Sequence, residues 1–278
     1  MKNSVLKRFM KRKTAVVAAC ILIILILVAF IGPYFCRYSP TDQDILNKRQ
    51  GISAEHWLGT DHLGRDTFTR VVYGARLSLI ISLCGVLSGA SIGVFLGVLA
   101  GYYGKWVDNL ISRCIDVLLA FPGLLLGIII VAILGPSSFN TAVVLLVLGI
   151  PSICRITRST VITLRDSEYV QAARVMGASD ARIIFTHIIP NSLSLVITTV
   201  TLNLGTAILT ASSLSFLGLG VQPPDPEWGS MLSQAREAIR SFPLGVFVPG
   251  LIITITVMSF GLLGDGLRDA LDPKLKNL

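Results

Sequence analysis

Charged residues in this 278-residue chain come in bursts, and the uncharged windows between the bursts constrain its fold more than any other feature. Several windows run to about 20 residues, enough for a helix to cross the roughly 30 Å of hydrocarbon in a bilayer. Only 14% of the residues are charged against 53% hydrophobic, where soluble domains carry about 25% charged. Six spans are predicted: Thr14 to Tyr34, Leu77 to Tyr102, Cys114 to Leu134, Thr141 to Cys154 plus the following turn, Ser192 to Leu219, and Leu244 to Leu263. Lipid admits only helices or closed barrels, and no alternating strand pattern runs through these windows. The expected fold class is all-α, a polytopic membrane protein with six transmembrane helices.

The first window follows six cations between Lys2 and Lys13. Its apolar run is longer than that of a secretory signal, and "GPYFCRYSP" offers no clear small-residue cleavage site, so it reads as an uncleaved first helix. Orientation follows from lysine and arginine placement. With the N-terminus inside, the inner segments hold six, two, five and three of the 24 cations; six of the remaining eight lie in one loop from Arg37 to Arg76. Both termini are therefore expected in the cytoplasm. The net charge of +8 is accounted for by anionic lipid at the inner leaflet and needs no nucleic acid.

Within the spans, Gly85, Gly89, Gly93, Gly97 and Gly101 lie on one helix face. Small residues at this spacing let two backbones approach closely, so they predict a helix-packing seam. Thr199, Asn203, Thr206, Thr210 and Ser213 also share a face. Either they line a hydrated pathway for a polar solute, or their hydroxyls bond back to their own helix.

No Asp, Glu, Lys, Arg or His falls near the middle of a span, which argues against a proton-coupled carrier, a channel of that chemistry and an intramembrane enzyme. There is no GxxxxGK[ST] phosphate loop, so energy for pumping has to come from another subunit. Cys20, Cys36, Cys84, Cys114 and Cys154 are scattered, with no CxxC pair, and read as small apolar fillers. His56 and His62, in "AEHWLGTDHLGRD", match no zinc spacing and read as part of an ordered polar loop; no metal site is expected.

The stretch "DSEYVQAARVMGASDARIIFTHIIPNS" (166–192) reads as two short helices hinged at a glycine. Asp166 or Ser167 caps the first, and Tyr169, Ala172, Ala173 and Met176 form its apolar face. Gly177 suits the left-handed residue that ends it. Ile183, Ile184, His187 and Ile188 form the buried side of the second, and Pro190 is expected to stop it. Alanines in place of Leu and Phe predict a shallow knob for another protein's groove rather than a lipid-facing surface.

"QAARVMGASDARIIFTHIIPN" resembles the cytoplasmic signature loop of bacterial ABC-importer permeases, with Gln171, Ala172, Ala173, Gly177, Ile189 and Pro190 at its positions. Gln171 stands where the family pattern has Glu, and His187 where it has the first Ile. "HWLGTDHLGRDTFTRVVYGARLSL", "SLSFLGLGVQPPDPEWGSMLSQAR" and "LLGDGLRDALDP" are similar to the C-type permease of the peptide-importer subfamily. The resemblance covers nearly the whole chain and implies a type I ABC importer permease fold. It further implies coupling of those six loop residues to an ATPase subunit, and a pairing with a second (B-type) permease. Two cytoplasmic ATPase subunits that hold ATP and Mg, and an extracytoplasmic binding protein delivering di- or oligopeptides, complete the assembly; this chain has no cofactor of its own. Relatives that import glutathione or nickel complexes leave the solute open within that class. On this reading residues 1–74 hold the basic tail, first span and outer loop. Residues 75–267 form a permease core of five spans with a coupling loop at 163–190, and 268–278 form a cytoplasmic tail in a bacterial plasma membrane.

Overall fold

The computed structural model describes residues 2–271; the remainder of the expected C-terminal tail, with Lys274 and Lys276, lies outside the described residues. The elements among them are helical: α1 Lys2–Lys11, α2 Lys13–Ile31, α3 Thr67–Tyr103, α4 Lys105–Leu119, α5 Gly123–Leu134 and α6 Ser138–Arg165. They continue as α7 Glu168–Val175, α8 Asp180–Ile183, α9 Ile189–Phe216, α10 Trp228–Ala235 and α11 Leu244–Leu271, with short 3-10 turns and one π turn between. Five helical bodies are long and apolar enough to cross a membrane.

The glycine seam sets the centre of the bundle. A Cβ built on Gly85, Gly89, Gly93, Gly97 or Gly101 would sit only 2.6 to 3.0 Å from the carbonyl oxygens of Ala142, Leu146, Ile150, Cys154 and Arg158 respectively. Each four-residue step along α3 is thus matched by a four-residue step along α6 in the same direction. The two helices run parallel with their backbones in contact, which only glycine permits at every step. Around this pair, Ile81, Val86 and Leu145 pack with Ala207 and Ala211 of α9. Ala29 of α2, Ala75 of α3, Ile208 of α9 and Ile253 of α11 close a second cluster on Trp228.

Parallel packing has a topological consequence. The register puts the start of α6 level with Ile81, about 33 Å of helix rise from the end of α3. The chain between Tyr103 and Ser138 has to climb back that far, so a crossing is required there. The sequence predicts one span from Cys114 to Leu134; the structure breaks it within that range. The amphipathic α4 and the apolar α5 meet at a bend of 89° around Ala120 to Pro122, and α5 alone reaches only about 18 Å. Pro122 has no N–H to continue the ladder and disfavours helix in the residue before it. Hydropathy is blind to this, because the apolar run continues straight through the break.

A second difference lies at Pro190. It does not end a helix: it occupies the first turn of α9, directly after a π turn. A π turn over Ile184–Ile188 joins α8 to α9, giving one helical body from Asp180 to Phe216.

At the end of the bundle away from α7, a polar cap replaces helix packing. Asp66 caps α3 by accepting from the Thr69 N–H at 2.8 Å, and also meets His56 Nδ1 at 2.9 Å. Glu227 caps α10 by accepting from the Ser230 N–H at 2.9 Å and accepts from the Ser78 hydroxyl at 3.2 Å. Its burial pushes the carboxyl above the ordinary range. Trp228 donates its indole N–H to the Val71 carbonyl at 3.1 Å.

Candidate functional site: a clamped hairpin and a polar helix face

The segment after α6 forms the expected hairpin. Gly177 has φ of +83°, its N–H donates to the Arg174 carbonyl, and the Ala178 N–H donates to the Ala173 carbonyl at 3.1 Å. This is the Schellman arrangement, which ends a helix through a left-handed residue. No atom crowds a Cβ at Gly177, so a side chain there is opposed by backbone conformation rather than by space.

Which side of α7 faces the protein differs from the expectation. Val170 and Ala173 are the buried residues, packed with Val98 and Tyr102 of α3, Val161 of α6 and Ile183, Ile184 and Ile188. Ala173, expected at a partner's groove, therefore turns into the chain's own core. Tyr169, Ala172 and Met176 stay exposed. The tip presents Val175 and Met176, 88% and 81% exposed, as an apolar pair on the surface. Gln171 is exposed and bonds back to the Asp166 carbonyl at 3.1 Å; Ile189 is half-buried and Pro190 exposed. His187 sets its ring edge-on to Tyr169, 5.9 Å between centroids.

The hairpin is held to the end of α3 by Tyr102. Its hydroxyl donates to Asp180 at 2.6 Å and accepts from Arg174 Nη2 at 3.2 Å, and the Arg174 guanidinium lies over its ring. Arg165 adds bonds to the carbonyls of Gly101 and Tyr102. Hydrogen bonds to charged groups are among the stronger ones, so α7 and α8 are tied to the α3–α6 pair. Neither Tyr102 nor the Val175–Met176 tip stands out in the sequence. Tyr102 reads there as the end of an apolar span, and the short α7 gives too few turns to fix which face is buried.

The polar residues of α9 divide. Asn203, Thr206 and Thr210 line a cavity of about 60 Å³ together with Leu148 and Gly149 of α6. Asn203 also donates to the Ser152 hydroxyl of α6 at 2.9 Å. Ser213 instead lines a groove shared with Leu124 of α5, and Thr199 is buried. The hydroxyls of Thr199, Thr206, Thr210 and Ser213 each donate to a carbonyl of their own helix. A hydroxyl that donates once keeps lone pairs free to accept, so back-bonding leaves Thr206 and Thr210 able to accept from a solute or water.

Two ion pairs join α4 to α6. Arg158 grips the Asp108 carboxylate with two guanidinium nitrogens, and Arg155 reaches Asp116 at 2.7 Å. Asp116, Arg155 and Arg158 border a cavity of about 420 Å³ with Ser112, Ile115 and Cys154. The seam register puts Arg155 level with Val98, about 8 Å of helix rise inside the end of α3. His56 and His62 are engaged separately, His56 stacked on Tyr38 and bonded to Asp66, His62 beside Asp61.

This arrangement has counterparts among known proteins. Residues 93–277 match the family described as binding-protein-dependent transport system inner membrane component, and residues 3–51 match the N-terminal TM domain of oligopeptide transport permease C. Over 98% of its length the chain is 50% identical to the dipeptide transport system permease protein DppC of Alkalihalophilus pseudofirmus, covering 89% of that protein. It is 47% identical to the glutathione transport system permease protein GsiD of Pectobacterium atrosepticum, over 98% of this chain and 90% of that one. Two solved structures share the fold. The MetNI methionine ABC transporter in an inward-facing conformation gives a TM-score of 0.59 at 18% identity, over 73% of this chain and 96% of that one. An amino acid ABC transporter with histidines gives 0.56 at 15%, over 73% and 94%. The chain belongs to the family of inner-membrane components of binding-protein-dependent transport systems, and is a multi-pass permease subunit of an ABC importer.

Proposed function

We propose that this permease carries short peptides, di- or oligopeptides with glutathione as a tripeptide of the same chemistry, and that it does no covalent chemistry itself. Relatives named for dipeptide and for glutathione transport support the solute class. It pairs with a second permease, receives solute from an extracytoplasmic binding protein, and is driven by two cytoplasmic ATPase subunits that hold ATP and Mg.

The observation that carries this reading is the apolar Val175–Met176 tip, exposed on a hairpin that Tyr102 clamps to α3. An apolar tip in water calls for a groove, and a clamped hairpin passes the movement of that groove to α3 and α6. ATP binding closes the ATPases, and the helices rock about the cavity beside Asn203, Thr206 and Thr210. Coupling thus rests with the loop at 163–190 and the pathway with the α9 face. The hairpin lies on the cytoplasmic side with both termini, in the bacterial plasma membrane, as the cation distribution favours.

Uptake of a labelled dipeptide by the assembled transporter tests the reading. Import that stops when ATP is depleted supports it; flux that continues without ATP would mean a channel or a gradient-driven carrier. Competition by unlabelled dipeptides and by glutathione, measured on the binding protein, assigns the solute. Cysteines placed at Ser53 and Ser179, with the native cysteines removed, test orientation. Labelling of Ser53 from outside and protection of Ser179 are expected, and the reverse pattern overturns it.

A further inference from the structure

The two ion pairs between α4 and α6 are unequal. Arg158 closes on Asp108 with two nitrogens, and the Ser112 hydroxyl donates to the same carboxylate at 3.1 Å. Arg155 gives Asp116 a single bond at 2.7 Å, and these two side chains are 58% and 51% exposed. Among the described residues, no other hydrogen bond engages Nε and Nη1 of Arg155 or Oδ2 of Asp116. An ion pair this exposed adds little to stability. The tie between the helices is therefore Arg158 with Asp108, and the second pair keeps most of its bonding capacity free.

Arg155 also lies about 8 Å of helix rise inside the end of α3. Charges inside a spanning bundle face water-filled space and mark solute paths. That space is the cavity of about 420 Å³ bordered by both members of the pair, a volume in the range of about 300 to 1,000 Å³ usual for small-molecule sites. The cavity of about 60 Å³ beside Asn203 admits only a few waters. The two are aligned along α6. Leu148 lines the smaller cavity, Ser152 accepts from Asn203, and Arg155 borders the larger; steps of four and three put all three on one helix face. The polar path beside α9 thus continues toward the hairpin end into a charged cavity.

The charges there cancel, Arg155 and Arg158 against Asp116 and Asp108. Arg113 of α4 does not border the cavity, and Arg165, the next cation along α6, is held by Asp166 and by the carbonyls of Gly101 and Tyr102. A neutral cavity with one separable pair of opposite charges suits neither a lone anion nor a lone cation. It suits a solute that carries both, because each partner exchanges the other for one end of the solute and no charge is left alone. A short peptide has a carboxylate at one end and an ammonium at the other. The guanidinium fork matches the first, and a carboxylate accepts from the second.

We propose that Arg155 and Asp116 are a solute-reading pair at the hairpin end of the pathway, Arg155 taking the C-terminal carboxylate and Asp116 the N-terminal ammonium of a peptide held between α4 and α6. This rests on the peptide-permease reading above and adds to it the residues that distinguish a free peptide from a blocked one. The Arg158–Asp108 tie keeps α4 in place while the pair opens.

The test is equilibrium dialysis of labelled dialanine, N-acetyl-dialanine and dialanine amide against the nucleotide-free transporter complex, purified without its binding protein. Wild type should bind dialanine saturably and each blocked peptide about ten-fold more weakly. Arg155→Gln should weaken dialanine about ten-fold and leave dialanine amide unchanged, since that peptide has no carboxylate to lose. Asp116→Asn should do the same to dialanine and leave N-acetyl-dialanine unchanged. Equal binding of all three peptides by wild type overturns the proposal without any variant. So does a variant that weakens all three alike, the mark of a merely structural pair. ATP-driven dialanine uptake by the complete transporter separates the two readings. Normal uptake with no saturable binding overturns the pair alone, and no uptake overturns the peptide-permease reading and the pair with it.

Discussion

The hairpin tip and the middle of α9 lie close together in the chain, and each contradicts its surroundings in the opposite sense. Val175 and Met176 are apolar side chains left exposed at the surface. Asn203, Thr206 and Thr210 are polar side chains beside a cavity inside a membrane-spanning helix. The energetic conflict at the tip is relieved by an apolar groove, and the conflict on α9 by water or a polar solute. The helical body from Asp180 to Phe216 spans from one surface to the other without a hinge of free loop, since the π turn keeps it helical. The tip lies outside this body, across the Gly177 turn, and is tied to it through Tyr102, which bonds both Arg174 and Asp180. The comparison predicts that substitutions at the two places have separable consequences, and that damage to the frame they share removes both functions together.

Damage to the frame has the largest expected effect. Gly93→Leu drives a side chain into the Ile150 carbonyl and the Ile153 side chain, 3.0 and 3.1 Å from where a Cβ would stand. Overpacking of this kind costs about 1 to 3 kcal/mol or more. The variant should lose assembled complex on size-exclusion chromatography, and normal assembly would mean that the seam tolerates separation. Next comes the clamp. Tyr102→Phe keeps the ring over which Arg174 lies and removes the hydroxyl bonded to Asp180, about 1 to 2 kcal/mol. ATPases should remain bound while solute uptake per ATP hydrolysed falls several-fold; an unchanged ratio would show that the hairpin is held by Val170 and Ala173 packing alone. Smallest are the changes confined to the cavity. Asn203→Leu and Thr206→Val should alter uptake rate or peptide preference about two- to ten-fold with ATPase binding intact, and equal transport by both would return α9 to a packing role.

The sequence made some of this legible and hid the rest for identifiable reasons. Five continuous spans follow from uncharged windows, because the cost of burying charge in lipid is read residue by residue. The seam follows from five glycines at one spacing, and the Gly177 turn from the left-handed conformation glycine allows. The break in the third span was signalled by "FPG" at 121–123, since Pro-Gly marks a turn, but the apolar run across it masks the signal. Pro190 is ambiguous in principle: the same residue stops one helix and opens another, and only the π turn before it decides. Tyr169, Ala172, Ala173 and Met176, expected on one face, are split, with Ala173 alone of them buried, because the end of α3, distant in sequence, chooses the face of α7 that is buried.

The central claim is that the exposed hairpin tip is where ATPase movement enters this permease. Met176→Glu tests it most directly, because Met176 is exposed and makes no part of the buried cluster, so a charge there leaves the fold intact. The measurement is co-purification of the ATPase subunits with the variant permease pair, read alongside peptide uptake. The account predicts an assembled permease pair that retains little ATPase and imports no peptide, while Thr206→Val retains both ATPases. A Met176→Glu permease that holds its ATPases and imports at the wild-type rate would contradict it.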